Sequence, residues 1–366
     1  MNRFTSCPAE RKVTRQVHVG PVSVGGGAPI RVQSMTCTRT ENVAATVDQI
    51  LDLENAGCEI IRVAVPTLKA AEGLAKIKTQ IHIPLVADIH FNHRLALRAL
   101  DEGADKIRIN PGNIGGRDRF ETVLKAASRR GVPVRIGVNA GSLEKALLEK
   151  HGGVTAGGLV ESAMNHIRIC EEAGFTDLVI SIKASDIPLM IEANRLLSEK
   201  TDYPLHLGVT EAGTEKEGIL RSAVGIGTLL AEGIGDTIRI SLTGDPAAEV
   251  KAAYGILKAL HLRKRGITMV SCPTCGRTRI DLVQVVEKIE KALENENKSL
   301  TVAVMGCEVN GPGEAREADI GVACGKKTAL LFSRGETIRK IKSDEIVDAI
   351  VTEVRNWTPE HGESDR

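Results

Sequence analysis

Eight short runs of β-branched and apolar residues, each followed by a stretch of helical periodicity, restrict this chain to a parallel α/β architecture. The runs are IRVQSM (30–35), EIIRVAV (59–65), PLVADIH (84–90), DKIRIN (105–110), PVRIGVN (133–139), DLVISIK (177–183), PLHLGVT (204–210) and DTIRISL (236–242). Helical patterns follow them at 43–56, 67–79, 93–102, 119–130, 158–173, 186–199, 216–232 and 246–260. Strands alternating with helices imply a parallel sheet, because a parallel return needs a crossover. Eight units in about 235 residues are the count of a (β/α)8 barrel. An open doubly wound sheet would place a glycine-rich dinucleotide turn after its first strand, and none follows here. The expected fold class is α/β: an N-terminal (β/α)8 TIM-type barrel with a smaller C-terminal α/β domain.

Ahead of the first unit, QVHVGPVSVGGGAPI reads as two short strands around Gly-Pro, either a hairpin closing the barrel floor or a leader. After residue 260 the pattern changes. HLRKRGITMVS reads as a basic connector, followed by a helix at 281–295, a strand at 300–305, strands near 319–323 and 328–332, and a helix at 343–357. The polar tail 358–366 is expected to be disordered. The expected domains are 1–262 and 263–366.

Apolar residues make up 42% of the chain and aromatic ones 2%, so Val, Ile, Leu and Ala must fill the core. A net charge of +1 and few aromatics argue against nucleic-acid binding. No apolar run approaches the roughly 18 residues of a membrane span, and the N-terminus lacks a signal-like stretch. A cytoplasmic protein is expected. Its eight cysteines (Cys7, Cys37, Cys58, Cys170, Cys272, Cys275, Cys307 and Cys324) then read as thiols or metal ligands rather than disulfides.

In a barrel, functional groups gather where the strands end. Arg62 lies on the second run, Asp88 and His90 end the third, Arg108 and Asn110 the fourth, and Arg135 and Asn139 the fifth. Lys183 ends the sixth, Glu211 follows the seventh, and Arg239 and Ser241 lie on the eighth. Residues two apart share a face, so Arg108 with Asn110 and Arg239 with Ser241 are expected to point into the mouth. A single such arginine is ordinarily a structural ion pair. Five cations on five strand ends, buried together without a partner, would repel and lose hydration. An anionic ligand resolves that conflict, and arginine forks match phosphate oxygens. The expected site is a phosphate or diphosphate pocket. Glu211 reads as an acid/base or hydroxyl ligand, or as a plain partner of Lys183 or Arg239. Asp88 and His90 read as substrate hydrogen-bonders, since two ligands do not make a metal site.

SCPTCGRT sets Cys272 and Cys275 at C-x2-C spacing, and Cys307 follows in MGCEVNGPGEA with Glu314 behind a Gly-Pro-Gly loop. The spacing suits zinc, an iron–sulfur cluster or a redox dithiol. The fourth ligand is Cys324 or Glu314. Cys324 sits in DIGVACG, which reads as a buried strand, so Glu314 is preferred. Three thiolates and a carboxylate suit a [4Fe-4S] cluster with one distinctive iron better than structural zinc. Two rival readings are a sugar-phosphate hydrolase or aldolase with a zinc domain, and a metal-binding scaffold; the charged mouth argues against the scaffold.

SCPTCGRT with GCEVNGPGEA, together with VQSMT, ADIHFN, RIGVN, GVTEAG and GIGDTIRISLTGDP, resembles the bacterial 4-hydroxy-3-methylbut-2-enyl diphosphate synthases over residues 13–357. The resemblance implies a TIM-type barrel and a cluster domain similar to sulfite and nitrite reductases. It implies reductive opening and dehydration of 2-C-methyl-D-erythritol 2,4-cyclodiphosphate, with two electrons from flavodoxin or ferredoxin. Cys272, Cys275, Cys307 and Glu314 would hold a [4Fe-4S] cluster. Arg62, His90, Arg108, Arg135, Asn139, Lys183, Arg239 and Ser241 would bind the cyclodiphosphate. Glu211 and Glu314 would take catalytic roles. Cys37 departs from the resemblance, standing where Asn is expected. The eighth helix returns the chain to the barrel floor, about 24 Å from the mouth at 1.5 Å per helical residue. A head-to-tail homodimer, each cluster capping the partner's barrel, is therefore expected.

Overall fold

The computed structural model describes residues 9–294, 296–309 and 311–358. Cys7, Asn295, Asn310 and the tail beyond Thr358 lie outside them. The chain divides into two compact units, Met1–Arg263 and Lys264–Arg366.

The first unit opens with an antiparallel hairpin, β1 (Val17–Val19) and β2 (Val22–Val24), turning at Gly20 and Pro21. Eight parallel strands follow: β3 (Arg31–Met35), β4 (Ile60–Ala64), β5 (Leu85–Ile89), β6 (Lys106–Ile109), β7 (Val134–Asn139), β8 (Leu178–Lys183), β9 (His206–Leu207) and β10 (Thr237–Ile238). They pair in the order β8-β7-β6-β5-β4-β3-β10-β9. A parallel bridge between Ile180 and Leu205 closes the ring, so this is the expected barrel. β9 and β10 are shorter than their sequence runs. Ladder pairing ends at Gly208, where the backbone passes against the Lys183 ammonium and the Arg239 carbonyl.

The outer layer is α1 (Val43–Ala56), α2 (Leu68–Lys78), α3 (His93–Asp101), α4 (Arg117–Arg130), α5 (Lys145–His151), α6 (Ala156–Glu172), α7 (Ile187–Lys200), α8 (Glu215–Ala231) and α9 (Pro246–Ala259). α5 has no counterpart among the predicted helices. Side chains of Asn42, Thr67, Asn92, Thr155, Asp186 and Asp245 cap their helices by accepting a first-turn N–H. None of the helices is long and apolar enough to cross a membrane among the described residues.

Strand periodicity sorts the barrel side chains. Ile61, Val63, Ala87, Ile89, Ile107, Ile109, Ile136, Ile180 and Ile182 face outward into the helix-packed core. Inward, Ile60, Val86 and Val179 pack with Val17, Val19 and Val24 of the hairpin, which therefore closes the barrel floor. Gly25, at φ +76°, lets this segment pass over Arg15, Thr14 and Pro204; a Cβ there would clash with all three. Above the floor the inward positions turn polar.

The second unit is a five-stranded sheet in the order β11 (Thr268–Ser271), β12 (Thr301–Met305), β13 (Ile320–Cys324), β14 (Thr328–Ser333) and β15 (Glu336–Lys342). β11, β12 and β13 are parallel, and β14 and β15 antiparallel. The basic stretch read as a connector thus ends in a strand, and β15 had no sequence counterpart. α10 (Leu282–Ala292) and α12 (Ile346–Asn356) cover one face of the sheet. α11 (Gly311–Arg316) packs on the other through Ala315, Ala303, Met305 and Ala323.

Candidate active site

The inward strand ends surround a cavity of about 280 Å3 at the barrel mouth. Arg62, His90, Arg108, Arg135, Asn139, Lys183, Arg239 and Ser241 all line it, so the structure brings together every residue read as substrate-binding. Met35, Asp88, Ser181 and Thr210 complete the wall. Asn110 does not join them. Its Oδ1 accepts from Gly112 N–H at 3.1 Å and its Nδ2 donates to Ser142 Oγ at 3.2 Å, so it caps a turn instead of facing the mouth.

The five cations are not without counter-charge, contrary to the sequence reading. Asp88 lies 3.1 Å from Arg108 Nη1, 3.6 Å from Arg62 Nε and 3.5 Å from His90 Nε2. Burial alone would raise the Asp88 carboxyl, but Arg62, the His90 hydrogen bond, Arg108 and Arg135 outweigh it and hold the pKa far below the carboxylate range. Asp88 is thus a structural counter-ion that fixes two arginines. Glu249 of α9 does the same for Arg239 at 3.4 Å, and also accepts from Ser34 Oγ and Leu242 N–H at 3.0 Å each. Glu249 escaped the sequence reading because it sits on a helix rather than at a strand end.

Two carboxylates do not balance the ring. Burial, followed by neighbouring arginines, pushes Lys183 and Arg135 well below their ordinary values. Burial brings Arg62 down to about 10 against the pull of Asp88. Arg135 is 1% exposed, and its Nε and Nη1 have no hydrogen-bond partner among the described residues. Buried donors of this kind carry a desolvation cost that an anion in the cavity would offset.

Two inward glycines make the room. A Cβ on Gly137 would sit 2.9 Å from Arg108 Nε, and one on Gly208 2.5 Å from Lys183 Nζ and 2.9 Å from the Arg239 carbonyl oxygen. Gly208→Ala should displace Lys183 and lower kcat/KM roughly ten- to a hundredfold, since a shift of about 1 Å at a reacting group costs that much. Steady-state kinetics beside an unchanged circular-dichroism spectrum checks this; unaltered kinetics would mean that Lys183 has no fixed place in the site.

Glu211 is exposed beside Thr210, outside the cavity wall, and holds a left-handed φ of +53°. It forms no ion pair with Lys183 or Arg239, so that plain role is not the one it has. A non-glycine residue in this region is uncommon, and such strain gathers at functional positions. Cys37 is exposed and does not line the cavity; Gln49 donates to its Sγ at 2.9 Å and accepts from its N–H at 2.9 Å.

In the second unit the cysteines emerge from adjacent parallel strands. Cys272 follows β11 and Cys307 follows β12, so both leave the same edge of the sheet. Gly306 N–H donates to Cys272 Sγ at 3.2 Å, and Arg279 N–H to the Gly306 carbonyl at 2.9 Å, which ties the two loops together. Cys275 is exposed, and hydrogen bonds from Arg277 lower its pKa. Glu314 lies exposed on α11, so Gly311-Pro312-Gly313 opens a short helix and is not the predicted loop. Cys324 faces the core with α10 and α12, opposite α11, and burial pushes its thiol up to about 12. That is the core role expected of it.

No three His, Cys, Asp or Glu side chains among the described residues form a closed metal cage. The donor chemistry nevertheless fits a cluster: one sheet edge carries soft thiol donors, a backbone N–H already aimed at sulfur, and a carboxylate on the adjoining helix. None of the cysteines in the described residues is joined in a disulfide.

Fold and site together define a class: a TIM barrel with a cation-lined mouth, joined to an α/β unit in which Cys272 and Cys307 leave the same end of adjacent parallel strands. Residues 14–254 match the GcpE TIM-barrel domain and residues 268–356 the GcpE protein C-terminal domain. The chain belongs to the GcpE family, whose curated relatives are named 4-hydroxy-3-methylbut-2-en-1-yl diphosphate synthase (flavodoxin). It is 56% identical to that of Ruminiclostridium cellulolyticum, over 94% of this chain and 98% of the relative. It is 58% identical to that of Geobacter sulfurreducens, over 93% and 97%. With that of Caldanaerobacter subterraneus subsp. tengcongensis it shares 54%, over 96% and 99%.

Proposed function

We propose that this chain, an oxidoreductase of its family, reductively opens the ring of 2-C-methyl-D-erythritol 2,4-cyclodiphosphate and eliminates water. The product is 4-hydroxy-3-methylbut-2-enyl diphosphate, on the methylerythritol phosphate route to isoprenoids. The mouth cavity carries the reading: five cations with two carboxylates suit a bound diphosphate, and its size suits a small sugar-derived ligand.

Arg62, Arg108, Arg135, Lys183 and Arg239 hold the diphosphate charge in a site where the dipoles are fixed before substrate arrives. His90, Asn139 and Ser241 supply further hydrogen bonds around it. Glu211, whose left-handed φ of +53° supports a functional reading, carries a proton to or from the methylerythritol part. Cys272, Cys275, Cys307 and Glu314 would hold a [4Fe-4S] cluster, which supplies low-potential electrons that no side chain can store. The electron donor of this chain is flavodoxin, which the relatives' names print, or ferredoxin. The protein works in the cytoplasm, with a barrel domain over 1–262, a cluster domain over 263–366, and a head-to-tail homodimer in which each cluster serves the partner's barrel.

Iron and acid-labile sulfide analysis after anaerobic purification tests the cofactor. A brown protein absorbing near 400 nm with iron and sulfide in equal amounts is expected; colourless protein carrying zinc would overturn it.

A further inference from the structure

Beneath the cavity lies a lysine that substrate binding alone does not account for. Lys106, at the start of β6, is 0% exposed, and its Nζ has no hydrogen-bond partner among the described residues. It points inward two residues before Arg108. Around the ring each of the other strands carries an inward polar or charged group: Gln33 on β3, Arg62 on β4, Asp88 on β5, Arg135 on β7, Lys183 on β8 and His206 on β9, with Arg239 just after β10. Asp88 is the one acid among these groups, and Arg108 and Arg62 already hold it. His206 spends Nδ1 on Thr237 at 2.7 Å, and its Nε2 has no hydrogen-bond partner among the described residues.

An ammonium in this place is shut off from bulk solvent, and the one acid of the ring is already shared by two arginines. Burial first, then Arg135 and Arg62, push Lys106 well below the ordinary lysine value. Arg62 and Arg135 also line the mouth cavity. A dianion bound there neutralises the two charges that repel a proton on Lys106.

We propose that Lys106 rests as a neutral amine and takes up a proton when the cyclic diphosphate binds above it, so that substrate capture is proton-linked. Lys106 is then a positioning residue: its new charge reinforces the grip of Arg135 and Arg62 on the ligand without touching it. The inference rests on the diphosphate reading of the cavity.

The sign of the accompanying stability effect follows from linkage. In the unliganded protein the folded pKa of Lys106 lies below the unfolded value of about 10.4. The unfolded chain then binds a proton that the folded chain refuses, and stability increases as pH rises through that window. Lys106→Met removes this slope and leaves a better-packed, more stable protein at neutral pH.

Calorimetry of the holoenzyme, without electron donor, tests the proposal in buffers of different ionisation enthalpy. The titrant is 2-C-methyl-D-erythritol 2,4-cyclodiphosphate, whose phosphates carry no proton that titrates near neutrality. The wild type should take up protons on binding, and Lys106→Met should take up about one proton fewer if Lys106 is the acceptor. Lys106→Met should also bind more weakly, with a pH dependence of affinity flatter than the wild type's. Binding by both proteins with equal uptake would overturn the role of Lys106 and leave the diphosphate site standing. No binding by the wild type would overturn the site and this inference together. Thermal unfolding of the variant guards against misfolding: a folded Lys106→Met with wild-type uptake contradicts the proposal.

Discussion

Replacing Cys307 by serine should bring turnover down to background while leaving cyclodiphosphate affinity within about twofold of wild type. Cys307 leaves β12 at the sheet edge where Cys272 leaves β11, in a loop already tied to Cys272 by the Gly306 N–H. Serine has nearly the shape of cysteine but offers a hydroxyl, and iron–sulfur clusters are held by thiolates. Iron and sulfide content should fall with activity. The barrel has its own core and its own cavity lining, so ligand affinity should persist. Mixing this variant with a barrel-dead chain also tests the proposed homodimer: activity should return when the two form heterodimers, and heterodimers without recovery would rule out clusters that serve the partner's barrel.

Arg135→Met should lower kcat/KM by about a hundred- to a thousandfold, the range seen when one preorganised donor to an anionic centre is removed. The partnerless Nε and Nη1 of Arg135 are donors held ready for a ligand. The same substitution should raise the melting temperature, because it deletes a buried charge that burial and neighbouring arginines already disfavour. Opposite signs in activity and stability are what a site built at a stability cost requires. A variant that loses both would instead mark Arg135 as a structural residue.

Much of the barrel was legible because its signal is periodic. Outward Ile61, Val63, Ile107 and Ile109 alternate with inward Arg62, Lys106 and Arg108, and that alternation places the cations at the mouth without a structure. Followed one step further back along DKIRIN, it also points to Lys106. What stayed hidden depends on contacts between elements distant in sequence. Glu249 reaches Arg239 from α9, and Asp88 is an ion-pair hub because β4 and β6 flank it. Gly208 looks like an ordinary strand glycine until Lys183 is seen to fill the missing Cβ position. In the second unit, Gly-Pro-Gly suggested a loop because both residue types break helices in general, yet Pro at the second helical position costs no hydrogen bond. β15 was missed because its alternation is obscured by exposed charge: Arg339, Lys340 and Lys342 surround the buried Ile341.

Phosphorus NMR of an anaerobic reaction tests the central claim most directly. The holoprotein is incubated with 2-C-methyl-D-erythritol 2,4-cyclodiphosphate and reduced flavodoxin. The two signals of the cyclic diphosphate should give way to those of a linear allylic diphosphate, dependent on both the donor and the cysteines. Cyclodiphosphate left unchanged by cluster-loaded protein, or conversion that proceeds equally well in the Cys307→Ser variant, would contradict it.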